Sequence, residues 1–267
     1  MQRVSFRIPA DSREDVLDGV LPMLPSGIVE RHVAEGVTEL ASFGAALPSE
    51  QALRAASPVQ LDALAYEDVP ADWRERRRRF GGGAVMIAGR VMVRSPDDPP
   101  APEGVPELVI GGGGFGSGSH PTTQMCLALL LDVPVLGGAA DLGCGVGTLA
   151  IAAAKLGWNP VVGVDRMPVA IEVALENVAR NGVSVACSVS DLAVDPLPLA
   201  PLLLVNAPPP VHTRVVEAVD ASVRHVIVSG IVAEEVGAVL AGYRAVGFEA
   251  AAALGTEDEW IALRLSC

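Results

Sequence analysis

The sequence predicts an α/β protein in which a mostly parallel sheet, covered by helices on both faces, follows a smaller α+β unit. Three observations carry that reading. From Leu108 onward, apolar strand-like runs alternate with helix-like runs, the pattern of repeated βα units. Before Tyr66 the elements are shorter and include a hairpin signal. Between the two, "EDVPADWRERRRRFGGG" joins a run of arginines to three glycines, as a linker does. The expected organisation is a first domain over residues 1–66, a linker over 67–83 and a larger domain over 84–267. A chain of 267 residues is long enough for both to bury a core.

Taken in order, "RVSFRI" is a β-rich run, and "SREDVLDGVLPML" is a helix with Ser12 as its N-cap and acidic residues in its first turn. "IVERHVAEGVTELASF" reads as two strands about a turn at Glu35-Gly36. "SEQALRAA" is helical and "VQLDALAY" alternates like a strand, which completes a β-α-β-β-α-β unit of ferredoxin-like type. The run from Arg74 to Arg79 is expected to be a solvated helical linker. "AVMIAGRVMVRS" is a hairpin with Ala88-Gly89 at its turn, and "PDDPPAPEGVP" is a loop. In the larger domain, "AADLGCG" ends a strand, "TLAIAAAKLG" is a helix ended by Gly157, and "PVVGVD" is a buried strand. "PVAIEVALENVARNG" is a helix with Pro168 in its first turn and Gly182 past its end. Further strands are expected at "VACSVS", "PLLLVNA" and "HVIVSGI".

The 19 basic and 32 acidic residues give a formal charge of −13, the wrong sign for a general nucleic-acid binder and a suitable one for a basic protein partner. The single lysine, Lys155, among many arginines is a mark of compositional bias. The N-terminal stretch lacks the features of a signal peptide, and no apolar run reaches the length of a membrane helix. A soluble, cytoplasmic protein is expected. Cys126, Cys144, Cys187 and Cys267 form no CxxC pair and no zinc-spaced set with histidine, so they are expected to be reduced structural thiols, with no metal site.

The strongest chemical signal is "DLGCGVG", Asp141 to Gly147, placed between a strand and a helix. Glycines there let the backbone approach a ligand and leave the helix N-terminus free to bind negative charge. Asp165 ends the next strand, where a carboxylate can accept hydrogen bonds from both hydroxyls of a ribose. Together these point to a nucleoside-containing cofactor and leave two open. Gly145, Gly147 and Ala150 satisfy the dinucleotide pattern of a nicotinamide enzyme. The set Gly143, Gly145 and Gly147 after Asp141 has the look of an S-adenosylmethionine loop, with the acidic residue beside the cationic methionine end. The nicotinamide reading leaves the glycine-rich "GGGGFGSGSHPTTQMC", residues 111–126, without a role.

"GFGSGSHPTTQMCL", "DLGCGVGTLAIAAAKLG", "VVGVD", "ALENVARNGV", "VNA", "VIVSGI" and "EWIAL" resemble, in order and spacing, the ribosomal protein L11 methyltransferase family (PrmA). The likeness covers about residues 67–264. It implies a class I Rossmann-like methyltransferase domain behind a small substrate-recognition domain, with S-adenosyl-L-methionine as cofactor and a ribosomal large-subunit protein as partner. It further implies that the opening loop covers the cofactor, with contacts from the positions of Thr123, Gly143, Asp165 and Asn206 and a covering role for Phe115 to Thr123, Ser119 among them. With Asp141 and Gly145 these make the candidate cofactor set. The chain departs from the family at Ser117 and Ser119, where threonines are usual, at Met167, where an acidic residue is usual, and at "APPPVH" after Asn206.

The implied chemistry is in-line transfer of a methyl group to lysine ε-amines or an N-terminal amine. Such a transfer needs a neutral, aligned nitrogen and exclusion of water. Burial lowers an amine's pKa, so no dedicated base is required. The Asn206 side-chain carbonyl and the backbone around Ala207 are the expected aligning acceptors. His120 is expected to fix its loop, His212 to lie at the surface, and Trp260 to line the acceptor channel or the core. Cys144 is expected to matter for its small size. The alternatives are a methyltransferase of the same fold acting on another protein or a small molecule, a non-catalytic cofactor-binding protein, and the nicotinamide-dependent oxidoreductase.

Overall fold

The computed structural model describes residues 2–24, 28–34, 36–44, 46–68, 84–111, 118, 120–256 and 260–267. The arginine run Arg74–Arg79 lies outside them. The described residues fall into two compact units, one within 2–68 and one formed by 84–111 and residues from 118 onward.

The first unit runs β1 (Gln2–Pro9), α1 (Arg13–Val20), β2 (Val29–Ala34), β3 (Val37–Gly44), α2 (Glu50–Ala56) and β4 (Asp62–Asp68). The strands form an antiparallel sheet in the order β2-β3-β1-β4. Alternation along β1 turns Val4, Phe6 and Ile8 inward, where they meet Val16 and Val20 of α1 and Leu53 of α2. The two helices approach closely at Gly19, where a Cβ atom would sit 1.9 Å from the Ala56 carbonyl oxygen. Ser49 caps α2 by accepting the Ala52 amide. Ser12 does not cap α1: residues 10–12 form a short 3-10 turn that leaves Ser12 at φ −94, ψ 7, away from the extended geometry a capping hydroxyl needs.

The second unit opens with the hairpin β5 (Val85–Ile87) and β6 (Val91–Arg94), whose turn places Ala88 and Gly89 at φ +48 and +67. β7 (Glu107–Val109) pairs parallel to β6. There follow α3 (Pro121–Leu130), β8 (Ala139–Leu142), α4 (Thr148–Lys155), β9 (Val161–Asp165), α5 (Pro168–Asn181), β10 (Ala186–Val189), β11 (Leu202–Asn206), α6 (Pro209–Ala218), β12 (His225–Val232), α7 (Ala233–Ala245), β13 (Glu249–Gly255) and β14 (Trp260–Ser266). Gly182 ends α5 in the left-handed conformation at φ +63, as its position predicts.

Among the described residues the large sheet has the order β10-β9-β8-β11-β12-β14-β13, parallel from β10 to β12 and antiparallel at β14 and β13. The fully apolar run Leu202–Val205 is what a strand buried on both faces requires, and two separate cores pack against the sheet's faces. The strand order reverses between β8 and β11, which opens a crevice at their carboxyl ends.

Candidate active site at the carboxyl ends of the strands

The turn from Gly143 to Gly147 joins β8 to α4 and is built on positive φ angles of +82, +52 and +85 at Gly143, Gly145 and Gly147. The amides of Gly143 and Cys144 both donate to the Val164 carbonyl at 2.9 Å, which anchors the turn to β9. Asp165, at the end of β9, accepts from the Gly145 amide at 2.8 Å through Oδ2 and from the Met167 amide at 2.9 Å through Oδ1. Each carboxylate oxygen keeps a further lone pair for a ligand. Cys144 is buried and its Sγ occupies the space above Gly163, where a Cβ atom would approach it to 3.2 Å. Burial raises the Cys144 thiol pKa, so it fills space and stays a thiol.

Asp141, at the end of β8, is buried and accepts the Ala150 amide of α4 at 2.9 Å. Burial pushes its carboxyl pKa up to about 7, with the Ala150 bond opposing and the Asp165 charge adding to the shift. A cation beside it would draw the carboxyl back to its ionised form.

Across the crevice, His120 caps α3 and accepts the Thr122 amide on Nδ1 at 3.3 Å. Because that N–H can only donate, Nδ1 carries no proton, and the Thr122 hydroxyl 2.7 Å away donates to it as well. The same hydroxyl accepts from Asn206 Nδ2 at 3.2 Å. The Asn206 amide is thereby held with its nitrogen toward Thr122. Asn206 Oδ1 is buried and has no hydrogen-bond partner among the described residues, and the same is true of Thr123 Oγ1. Both atoms are buried polar groups with hydrogen-bonding capacity that a polar ligand would satisfy. Trp260 meets His120 edge-on with ring centroids 5.4 Å apart, so it packs on the cap of α3. Gly118 has φ +88, and a Cβ there would lie 2.4 Å from Val93 Cγ1, so this position of the opening loop admits glycine alone.

His212 is not at the surface. It is 1% exposed, with Nε2 at 3.0 Å from both the Ala207 and Ser229 carbonyl oxygens and Nδ1 at 3.1 Å from the Tyr243 hydroxyl. Two carbonyls facing Nε2 require a proton there, so Tyr243 donates to Nδ1. Burial lowers the His212 pKa and keeps the ring neutral. The signal lay in its spacing: His212 shares a helix face with the buried Val215 three residues on. Both polar groups of Ala207 are engaged within the fold, its carbonyl by His212 and its amide by the Ser229 carbonyl at 3.0 Å. The Ala207 amide is therefore not available as an aligning group, while Asn206 Oδ1 has no partner among the described residues.

The structure thus brings Thr123, Asp141, Gly143, Gly145, Asp165 and Asn206 to one edge of the second unit's sheet. Phe115 and Ser119 lie outside the described residues. Among the described residues no group of three or more His, Cys, Asp or Glu is placed to hold a metal ion.

Residues 87–266 match the family model of ribosomal protein L11 methyltransferase (PrmA). The chain belongs to the PrmA family. A ribosomal protein L11 methyltransferase of Geobacter metallireducens is 34% identical over 215 residues, covering 78% of this chain and 69% of the relative. One from Tolumonas auensis is 40% identical over 128 residues, covering 48% of this chain and 42% of the relative. The crystal structure of ribosomal protein L11 methylase from Lactobacillus delbrueckii subsp. bulgaricus aligns with a TM-score of 0.58 at 23% identity, over 69% of this chain and 97% of that one, which is a likeness of fold. As a PrmA-family methyltransferase, the chain uses S-adenosyl-L-methionine. The family match runs through the opening loop that the nicotinamide pattern left without a role, so the oxidoreductase reading is set aside.

Proposed function

We propose that the chain transfers methyl groups from S-adenosylmethionine to amines of ribosomal protein L11, at lysine ε-amines, the N-terminal amine, or both. The observation that carries this reading is Asn206 Oδ1: a buried, oriented acceptor without a partner among the described residues, at the strand end next to the Gly143–Gly147 turn. When bound, the cofactor supplies a methyl group activated on a sulfonium. Asp165 would accept the ribose hydroxyls, Gly143 and Gly145 would let the backbone lie close, and Asp141 would balance the cationic methionine end. Thr123 Oγ1, at the start of α3, would take a polar contact, and the family resemblance would add Phe115 and Ser119 to the set. Asn206 Oδ1 would accept a hydrogen from the incoming amine and so orient its lone pair for the transfer, and burial at this strand end would favour the neutral amine.

The β-α-β-β-α-β order of the first unit supports a ferredoxin-like domain for recognising the protein substrate. The charge of −13 suits a basic ribosomal partner and disfavours direct contact with nucleic acid. No helix among the described residues is long and apolar enough to cross a membrane, in keeping with work on a ribosomal protein in the cytoplasm.

The test is incubation of the full chain with labelled S-adenosylmethionine and undermethylated ribosomal large subunits, with the label located by mass spectrometry. Label confined to L11 amines is the expected result. Label on another protein or on a small molecule would move the reading to a methyltransferase with a different acceptor.

A further inference from the structure

Asn177 lies on α5, is fully buried, and has no part in the chemistry above. Its amide is engaged from four directions. Nδ2 donates to the carbonyls of Gly111 and Val146, each at 3.0 Å. Oδ1 accepts the Gly111 amide at 2.8 Å and the Arg180 guanidinium. Two acceptors face the nitrogen and two donors face the oxygen, so the amide has one satisfactory orientation. One helical turn on, Asn181 pairs in the same way with Val109, accepting its amide at 3.0 Å and donating to its carbonyl at 2.8 Å. Its remaining N–H goes to the Asn177 backbone carbonyl at 2.9 Å. The two side chains act as a surrogate strand along residues 109–111, and of the two only Asn177 continues to the glycine turn.

The Val146–Gly147 peptide plane is held at both ends. Its carbonyl is bound by Asn177 and its N–H by the Cys144 carbonyl at 2.8 Å. Gly147, at φ +85, gives this peptide little intrinsic resistance to rotation. The same helix presses on the turn at Ala174, 3.2 Å from where a Gly147 Cβ would stand. We propose that Asn177 is a positioning residue for the cofactor site, locking the Val146–Gly147 peptide and tying it to Gly111. This rests on the Gly143–Gly147 turn being where the cofactor binds. Without the Asn177 N–H groups the Val146 and Gly111 carbonyls lose their partner, and the peptide turns to find another.

The test compares Asn177→Asp with Asn181→Asp in the full chain. Each keeps the side chain's size and acceptor and loses its N–H donors. S-adenosylhomocysteine is titrated calorimetrically and thermal unfolding is recorded for each. Asn177→Asp is expected to weaken binding about tenfold or more, and Asn181→Asp by less than about twofold, with similar losses in Tm. Unchanged affinity in Asn177→Asp, or equal weakening in both variants, overturns the proposal. Should Asn177→Asp show no cooperative unfolding, Asn177→Ser against Asn181→Ser is judged by the same criterion. Failure of the unsubstituted protein to bind S-adenosylhomocysteine is a separate result, and it overturns the cofactor reading itself.

Discussion

At the scale of single residues, the site is a set of polar groups whose protonation and orientation follow from what surrounds them. Asn206 presents an oxygen because Thr122 has taken its nitrogen, and Thr122 is free to accept because its own proton goes to His120. Asp141 is the group whose state depends on pH. Its folded pKa of about 7 stands above the ordinary 3.8, so the stability it contributes is full below the unfolded value and is lost as pH rises through about 7. A cofactor cation reverses that preference. Affinity for S-adenosylmethionine, taken as the ratio of the unsubstituted protein to Asp141→Asn, is predicted to rise by up to about tenfold per pH unit toward 7 and then level off. A ratio that stays flat from pH 5.5 to pH 8.5 would remove Asp141 from the cofactor site.

At the scale of elements, the strand ends matter because each is followed by backbone that only certain residues allow. Gly230 has φ +78, and a Cβ there would stand 2.6 Å from the Ala207 nitrogen, so β12 can lie against the Asn206–Ala207 segment only as glycine. Gly230→Ala is predicted to cost about 3 kcal/mol in urea unfolding, from left-handed backbone strain and overpacking together. It should also reduce methyl transfer, since the relief available is movement of Ala207 and hence of Asn206. Wild-type stability in this variant would mean that β11 and β12 tolerate separation at this point.

Much of this level was legible in the sequence. The "DLGCGVG" turn, Pro168 in the first turn of α5 with Gly182 at its end, and the Ala88-Gly89 hairpin are local patterns whose backbone requirements few residues meet. β13 was not legible, because "EAAAALG" holds no β-branched residue and becomes a strand by pairing with β14. Ser12 had the composition of a cap and the wrong backbone angles. His212 was missed although it shares a helix face with the buried Val215, and two of the partners that fix these side chains, Tyr243 for His212 and Gly111 for Asn177, lie 31 and 66 residues away in sequence, where nothing local announces them.

At the scale of the whole molecule, a parallel sheet with a reversal between β8 and β11 collects residues from distant positions at one crevice, and the chemistry is distributed over the elements that end there. The glycine turn and Asp165 come from the first half of that sheet, while Asn206, held by α3, comes from the second. The central claim is that this crevice delivers a methyl group to an amine aligned by Asn206. It is tested most directly by single-turnover transfer from saturating S-adenosylmethionine to purified L11, followed by intact mass, for the unsubstituted chain and for Asn206→Ala. The account predicts added methyl groups on L11 with the unsubstituted chain and a loss of rate of about a hundredfold in the variant. No mass change with the unsubstituted chain, or transfer by Asn206→Ala at the unsubstituted rate, would contradict it.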